Sequence, residues 1–260
     1  MITSRKNTKI KLVRTLSHRK HRDKQGLFVV EGLRHVGEAL EAGVRIEFVI
    51  TAPDILHGEY AEKLIEILSK NNIPQFDTEK DVFQYIASKD NPQGILAVVR
   101  QKLGLLEQFN PDNFPWGVAV VAAQDPGNVG TLMRTIDAVG ASGLILLDGG
   151  VDPFHPTAVR ASMGALFSMP IICTSFEVFK LWVKSAGYAL YGSSAHAGTR
   201  YDQVEYRRPA ILLLGGEREG LDEMQLAACD EVVSLPMQGR VTSLNISIAA
   251  GIFLYAMMQR

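Results

Sequence analysis

Hydrophobic positions along this chain change their period near its middle. Leu27 to Val30 is a short apolar run that predicts a strand, and Glu31 and Gly32 lead from it into a helix carrying Val36 and Leu40. Val44, Ile46, Phe48 and Ile50 alternate with polar or small residues, the pattern of a half-buried strand. Tyr60, Leu64, Ile67 and Leu68 have helical spacing within residues 59–70. Thr78 with Asp81 reads as a capping box opening a helix that holds Val82, Phe83 and Ile86. Gly94 to Val99 is a further strand. These elements make a small α/β unit over residues 1–100, with no catalytic constellation in it. Residues 101–115 carry two prolines and two asparagines and no sustained period, which predicts a linker.

From residue 116 the pattern shifts to buried strands alternating with helices. Val118 to Ala123 is a continuous apolar strand, and Gln124 to Gly127 is a loop. Asn128 then begins a helix whose apolar stripe is Val129, Leu132, Met133, Ile136 and Val139. With Leu144 to Leu147 as the next strand this is a βαβ unit, hence a parallel sheet. Arg134 sits roughly 140° around the helix from Val129, off the stripe. Arg160 to Ala165 reads as a small-residue helix start, Pro170 to Cys173 as an apolar stretch, Phe176 to Ala186 as a helix and Tyr188 to Tyr191 as a strand. Ile211 to Leu214 ends in Gly215 and Gly216, and Val232 to Leu235 ends at Pro236, which is how parallel strands stop and leave backbone open to a ligand. Ser243, Leu244 and Asn245 precede a final helix, Ile246 to Met258, apolar on nearly every face and so in need of protein around it.

Composition and charge narrow the class. A chain of 260 residues, 47% apolar and 21% charged, has room for two modest domains, the second over residues 116–260. Cys173 and Cys229 stand alone, without a CxxC or a histidine at ligand spacing, so neither a disulfide framework nor a metal is expected, and a cytoplasmic location fits. No stretch reaches the roughly 18 apolar residues of a membrane span. The net charge of -1 conceals an asymmetry: residues 1–25 hold nine basic groups against Asp23, leaving 18 basic and 27 acidic groups for the rest. A basic arm on an acidic body suits a phosphate-bearing polymer, and Arg5, Lys6, Lys9, Lys11, Arg14, Arg19, Lys20 and Arg22 are the candidate contacts. The bland alternative is a solvated, frayed terminus. His155 and His196 lack a paired carboxylate at fixed spacing and read as loop histidines.

The glycine-bearing loop at 127–130, with Asp148 about 18 residues beyond it at a strand end, imitates a dinucleotide-binding turn. It is G-N-V-G and not G-x-G-x-x-G, and no third glycine follows before Met133, which argues against a nicotinamide cofactor.

Three segments carry a different resemblance: D-P-G-N-V-G-T-L-M-R-T at 125–135, L-G-G-E-R-E-G at 214–220 and L-P-M-Q-G-R-V-T-S-L-N at 235–245. In order and internal spacing they resemble the three motifs of the SpoU-type, TrmH-like RNA ribose 2′-O-methyltransferases of the SPOUT superfamily. R-A-S-M-G-A at 160–165 is similar to a further family segment, and the first hundred residues, with F-V-V-E-G near their start, resemble the substrate-binding domain of many members.

The resemblance implies an α/β fold whose C-terminal parallel-sheet domain ties a trefoil knot, a homodimer, and S-adenosylmethionine held in the knot. It places the family's catalytic polar residues on Asn128, Arg134, Glu217, Ser243 and Asn245, and its cofactor contacts on Gly192, Ser193, Leu214, Gly215, Gly220, Leu235, Met237, Ser243 and Leu244. Gly216 is a departure, since relatives often carry Asn or another polar side chain there. The implied activity is methyl transfer to a ribose 2′-hydroxyl, with ribosomal RNA as the expected substrate. Transfer RNA, or a catalytically silent RNA-binding relative, is the alternative. The sulfonium methyl is already electrophilic, so no metal is needed. A guanidinium is a poor base, which favours positioning and charge stabilisation for Arg134.

Overall fold

In the computed structural model, which describes residues 1–259, the basic N-terminal segment is helical. Helix α1 (Thr8–Thr15) is capped by the Asn7 side chain, and α2 (Arg19–Gln25) stops at Gly26, which is left-handed at φ 62. Ile10, Val13 and Leu16 recur at three-residue spacing and are buried, so an apolar stripe runs beneath the charge. They share a core with Phe48, Phe83 and Leu96. The chain continues as β1 (Leu27–Glu31), α3 (Leu33–Glu41), β2 (Ile46–Thr51), α4 (Glu59–Lys70), β3 (Gln75–Asp77), α5 (Lys80–Ile86) and β4 (Ile95–Arg100). The strands form a sheet in the order β1-β4-β2-β3, with β4 antiparallel to both neighbours.

Two expectations fail here for long-range reasons. Strand β2 is not half-buried, because the intervening Val49 and Thr51 are themselves at 0% and 2% exposure. Thr78 caps no helix: its hydroxyl donates to the Thr51 carbonyl at 3.0 Å, and α5 begins after Glu79 without a side-chain cap.

Residues 102–115 pack against the second sheet. Gly104 N–H donates to the Ile171 carbonyl at 2.8 Å, and Leu106 and Phe114 enter the core of that unit. Strand β5 (Trp116–Val121) leads into α6 (Pro126–Ala138), which starts two residues before Asn128 because Asp125 caps it and Pro126 fills the first helical position. After β6 (Leu144–Leu147) come α7 (Pro156–Ala161) and α8 (Ala165–Ser168). Residues 160–165 are thus the end of α7, a turn with Met163 and Gly164 at φ 49 and 92, and the first residue of α8, so the helix starts at Ala165 and not at Arg160. The segment Phe154–Phe167 clusters with Met1–Gln101 rather than with its chain neighbours. Phe154 lies 4.8 Å from Phe28 ring to ring, and Arg160 donates to the Ser88 hydroxyl at 3.0 Å.

The remaining elements are β7 (Ile171–Thr174), α9 (Phe176–Ala186), β8 (Ala189–Ser193), β9 (Thr199–Arg200), β10 (Ala210–Leu214), α10 (Glu223–Ala227), β11 (Glu231–Ser234) and α11 (Ile246–Met258). Seven strands pair in parallel in the order β7-β6-β5-β10-β8-β11-β9. Parallel pairing puts the C-terminal ends of β5, β8, β10 and β11 on one edge, so the loops that follow them share it. Helix α11 buries Ala250, Phe253, Leu254 and Met257, yet Ile248 and Tyr255, seven residues apart on one face, remain 57% and 48% exposed.

Candidate active site

Every member of β10 is buried, and the loop beyond it is shaped by glycine. A Cβ on Gly215 would meet the Gly220 carbonyl carbon at 2.0 Å, and Gly220 itself is left-handed at φ 70, so the chain folds back on itself as no other residue type allows. At Gly216, the departure from the family pattern, a Cβ would stand 3.2 Å from the Val121 carbonyl oxygen.

This turn aims Glu217 at the start of α6. Its carboxylate accepts from Gln124 N–H at 3.2 Å, from Asp125 N–H at 3.4 Å and from Asn128 Nδ2 at 3.4 Å. Asn128 Oδ1 in turn accepts from Asn245 Nδ2 at 2.8 Å. Asn245 caps α11: its Oδ1 accepts from Ser247 N–H at 2.9 Å and from Ser247 Oγ at 2.6 Å. Three segments far apart in sequence are thereby joined in one directional chain, Ser247 to Asn245 to Asn128 to Glu217. The partners fix both amides with oxygen toward α11 and nitrogen toward Glu217.

Asn128, Glu217, Ser243 and Asn245 line a cavity of about 850 Å3. Its apolar part comes from Leu214, Leu221, Leu226, Leu235, Leu244 and Phe253, and its polar rim from Ser193, His196, Arg218 and Thr242 besides. Of the expected cofactor contacts, Ser193, Leu214, Gly215, Gly220, Leu235, Met237, Ser243 and Leu244 are in the lining and Gly192 is not. Gly192 serves packing, since a Cβ there would lie 2.6 Å from Cys229 Sγ. Burial, with Asp230 beside it, pushes the Cys229 thiol up to about 12, so the sulfur stays neutral.

Arg134 lies outside that lining, exposed on α6, and makes no hydrogen bond or ion pair among the described residues. Asp148 Oδ1 accepts from Phe176 N–H at 2.9 Å in the first turn of α9, whose N-cap is Ser175. His155 caps α7 by accepting from Thr157 N–H. Ser247, Thr242 and His196 were not distinguished by spacing. Only Ser247 carried a signal, as a hydroxyl two residues past an N-cap asparagine.

Among the basic candidates, Arg22 must be withdrawn as a nucleic-acid contact. It is 1% exposed, and its Nη1 donates at 2.9 Å to the carbonyls of Leu16 and Ser17, fastening the α1–α2 turn. Arg5, Lys6, Lys11, Arg14, Arg19 and Lys20 are exposed, and Lys9 is half-buried over the Phe76 ring at 4.2 Å. Among the described residues no group of three or more His, Cys, Asp or Glu side chains is placed to hold a metal, and no helix is long and apolar enough to cross a membrane.

The family model described as the SpoU rRNA Methylase family matches residues 116–255, and the MRM3-like substrate binding domain matches residues 7–97. A 23S rRNA guanosine 2′-O-methyltransferase of Bacillus subtilis, RlmP, is 28% identical over 98% of this chain and 97% of its own. A 23S rRNA uridine 2′-O-methyltransferase of Streptomyces viridochromogenes is 30% identical over 94% and 87%. The AdoMet-bound rRNA methyltransferase of Sinorhizobium meliloti superposes with a TM-score of 0.90 at 32% identity, covering 99% of this chain and 97% of that one.

Proposed function

The chain belongs to the SpoU rRNA Methylase family, and from that premise we propose that it transfers a methyl group from S-adenosylmethionine to a ribose 2′-hydroxyl of 23S ribosomal RNA. The observation that carries the reading is the hydrogen-bonded chain from Ser247 to Glu217, which gathers the three motif segments at the rim of one cavity.

The cavity fits the cofactor in size and in kind: small-molecule sites run to about 300–1,000 Å3, largely apolar with a few polar groups. Leu214, Gly215, Leu235, Met237 and Leu244 would hold it, with Ser193 and Ser243 at its polar parts. When bound, S-adenosylmethionine supplies a methyl group on a positively charged sulfur that needs no further activation. Glu217 braces the start of α6, and Asn128 and Asn245 each keep one amide N–H unspent for the ribose oxygen as it takes the methyl group and its proton passes to solvent water. Arg134, off the apolar stripe and without an ion-pair partner among the described residues, supplies positive charge for the reacting hydroxyl or its adjacent phosphate.

The rest of the proposal concerns assembly and substrate. Residues 1–100 bind RNA through the exposed cations of α1 and α2, and residues 116–260 carry the chemistry. The exposed stripe of Ile248 and Tyr255 on α11 meets a second copy of the chain in a homodimer. The segment around 235–245 threads a trefoil knot, a reading supported by family membership and by a strand order in which β10 lies inside β8 and β11 outside it. A ribosomal substrate puts the protein in the cytoplasm. The reading is tested by comparing ribose methylation of 23S rRNA from cells with and without the gene, with cofactor calorimetry on the purified chain. Loss of one 2′-O-methyl nucleotide is expected. Cofactor binding with unchanged ribosomal and transfer RNA would instead mark a silent relative.

A further inference from the structure

Helix α1 lays three of its neighbourhood's cations onto aromatic rings. The Arg5 and Arg14 guanidinium carbons each stand 4.8 Å from the centroid of the same ring, Tyr85, and Lys9 Nζ stands 4.2 Å from that of Phe76. Arg14 is held a second time, its Nη1 donating to the Tyr85 carbonyl at 3.3 Å. The two guanidiniums are therefore at most twice that ring distance apart, and like charges so placed repel. Proteins commonly relieve such like-charge proximity with a carboxylate. Here, among the described residues, neither arginine has an ion-pair partner, and both are exposed. What holds them is neutral: the face of a ring whose residue is 39% exposed, supplying cation–π attraction without cancelling charge.

Two unneutralised guanidiniums, pre-oriented by one ring, are a receptor for anions, because a guanidinium fork matches phosphate oxygens in a bidentate way. We propose that Arg5 and Arg14, organised by Tyr85, form a clamp on the backbone phosphates of the RNA substrate, and that Tyr85 is a positioning residue for that clamp. The clamp rests on the RNA methyltransferase reading and adds a named subsite to it. Pre-orientation matters because each flexible side chain ordered on binding costs affinity, and the ring has already ordered these two. Tyr85 itself contributes no charge, which makes its effect separable from electrostatics.

The test uses the full chain and an in-vitro transcript of 23S rRNA, with affinity measured across a salt series. Replacing both arginines, R5A with R14A, should flatten the plot of log affinity against log salt by about 0.7 for each arginine on single-stranded RNA. Y85A keeps both charges, yet should weaken binding by about three- to tenfold, the scale of re-ordering rotamer-rich side chains. Y85F keeps the ring face and should bind as the parent does. Affinity for S-adenosylmethionine should stay unchanged in all of them. Parental affinity in Y85A overturns the positioning role, and an unchanged salt slope in the double arginine variant, whose aromatic core is untouched, overturns the clamp. If the parent chain itself neither binds nor methylates the transcript, the RNA reading falls and the clamp with it.

Discussion

Arg134 is exposed on α6 and Ser247 is buried at the start of α11, and the proposed chemistry gives each a separate role to test. Arg134→Ala removes no hydrogen bond or ion pair among the described residues, so the melting temperature and cofactor affinity should hold while single-turnover kcat falls by at least about a hundredfold. Lowered melting temperature with near-normal turnover would mark Arg134 as structural. Ser247→Ala keeps the backbone N–H to Asn245 Oδ1 but removes the 2.6 Å hydroxyl bond, loosening the orientation of both amides. About tenfold lower kcat at unchanged KM is expected, one hydrogen bond's worth, with recovery in Ser247→Thr. Loss that threonine does not restore would contradict the positioning role. Little of this was legible in sequence. The motif segments named Asn128, Glu217 and Asn245, but their bonds span 89 and 117 residues, and spacing along the chain carries no information about such pairings.

Elements with strong periodicity were readable, and elements defined by distant partners were not. Strand β10 follows from an unbroken apolar run, helix α11 from a run interrupted only by Ser247 and Gly251, and α6 from its 3.6-residue stripe. Thr78 and Asp81 matched a capping pattern, yet the Thr51 carbonyl claimed the Thr78 hydroxyl. Ile10, Val13 and Leu16 did mark an amphipathic helix, hidden under the density of lysine and arginine. The turn after β10 offers a test at this scale. Gly215→Ala would set a methyl group 2.0 Å from the Gly220 carbonyl carbon, so the 215–220 loop must open and Glu217 must leave the start of α6. Calorimetry should show cofactor affinity falling by at least about tenfold, since one misplaced polar contact costs about 1–3 kcal/mol. Unchanged affinity would remove this loop from the binding site.

At the scale of the whole molecule, the same exposed face of α11 predicts association. Ile248→Glu places a charge on the stripe it shares with Tyr255, so sedimentation should find a dimer for the parent chain and a monomer for this variant at micromolar concentration. A monomeric, fully active parent would contradict that assembly. The return of Phe154–Phe167 to the first unit was not legible in the sequence, because Phe154 meets Phe28 across 125 intervening positions. The central claim is chemical: ribose methylation of ribosomal RNA at the cavity rimmed by Asn128, Glu217, Ser243 and Asn245. Incubating the purified chain with methyl-labelled S-adenosylmethionine and unmodified 23S rRNA transcript, then digesting to nucleosides, measures it directly. Label in one 2′-O-methylnucleoside, appearing at least about a hundredfold more slowly with Arg134→Ala, is the predicted result; label on a base, or none in 23S rRNA, would contradict it.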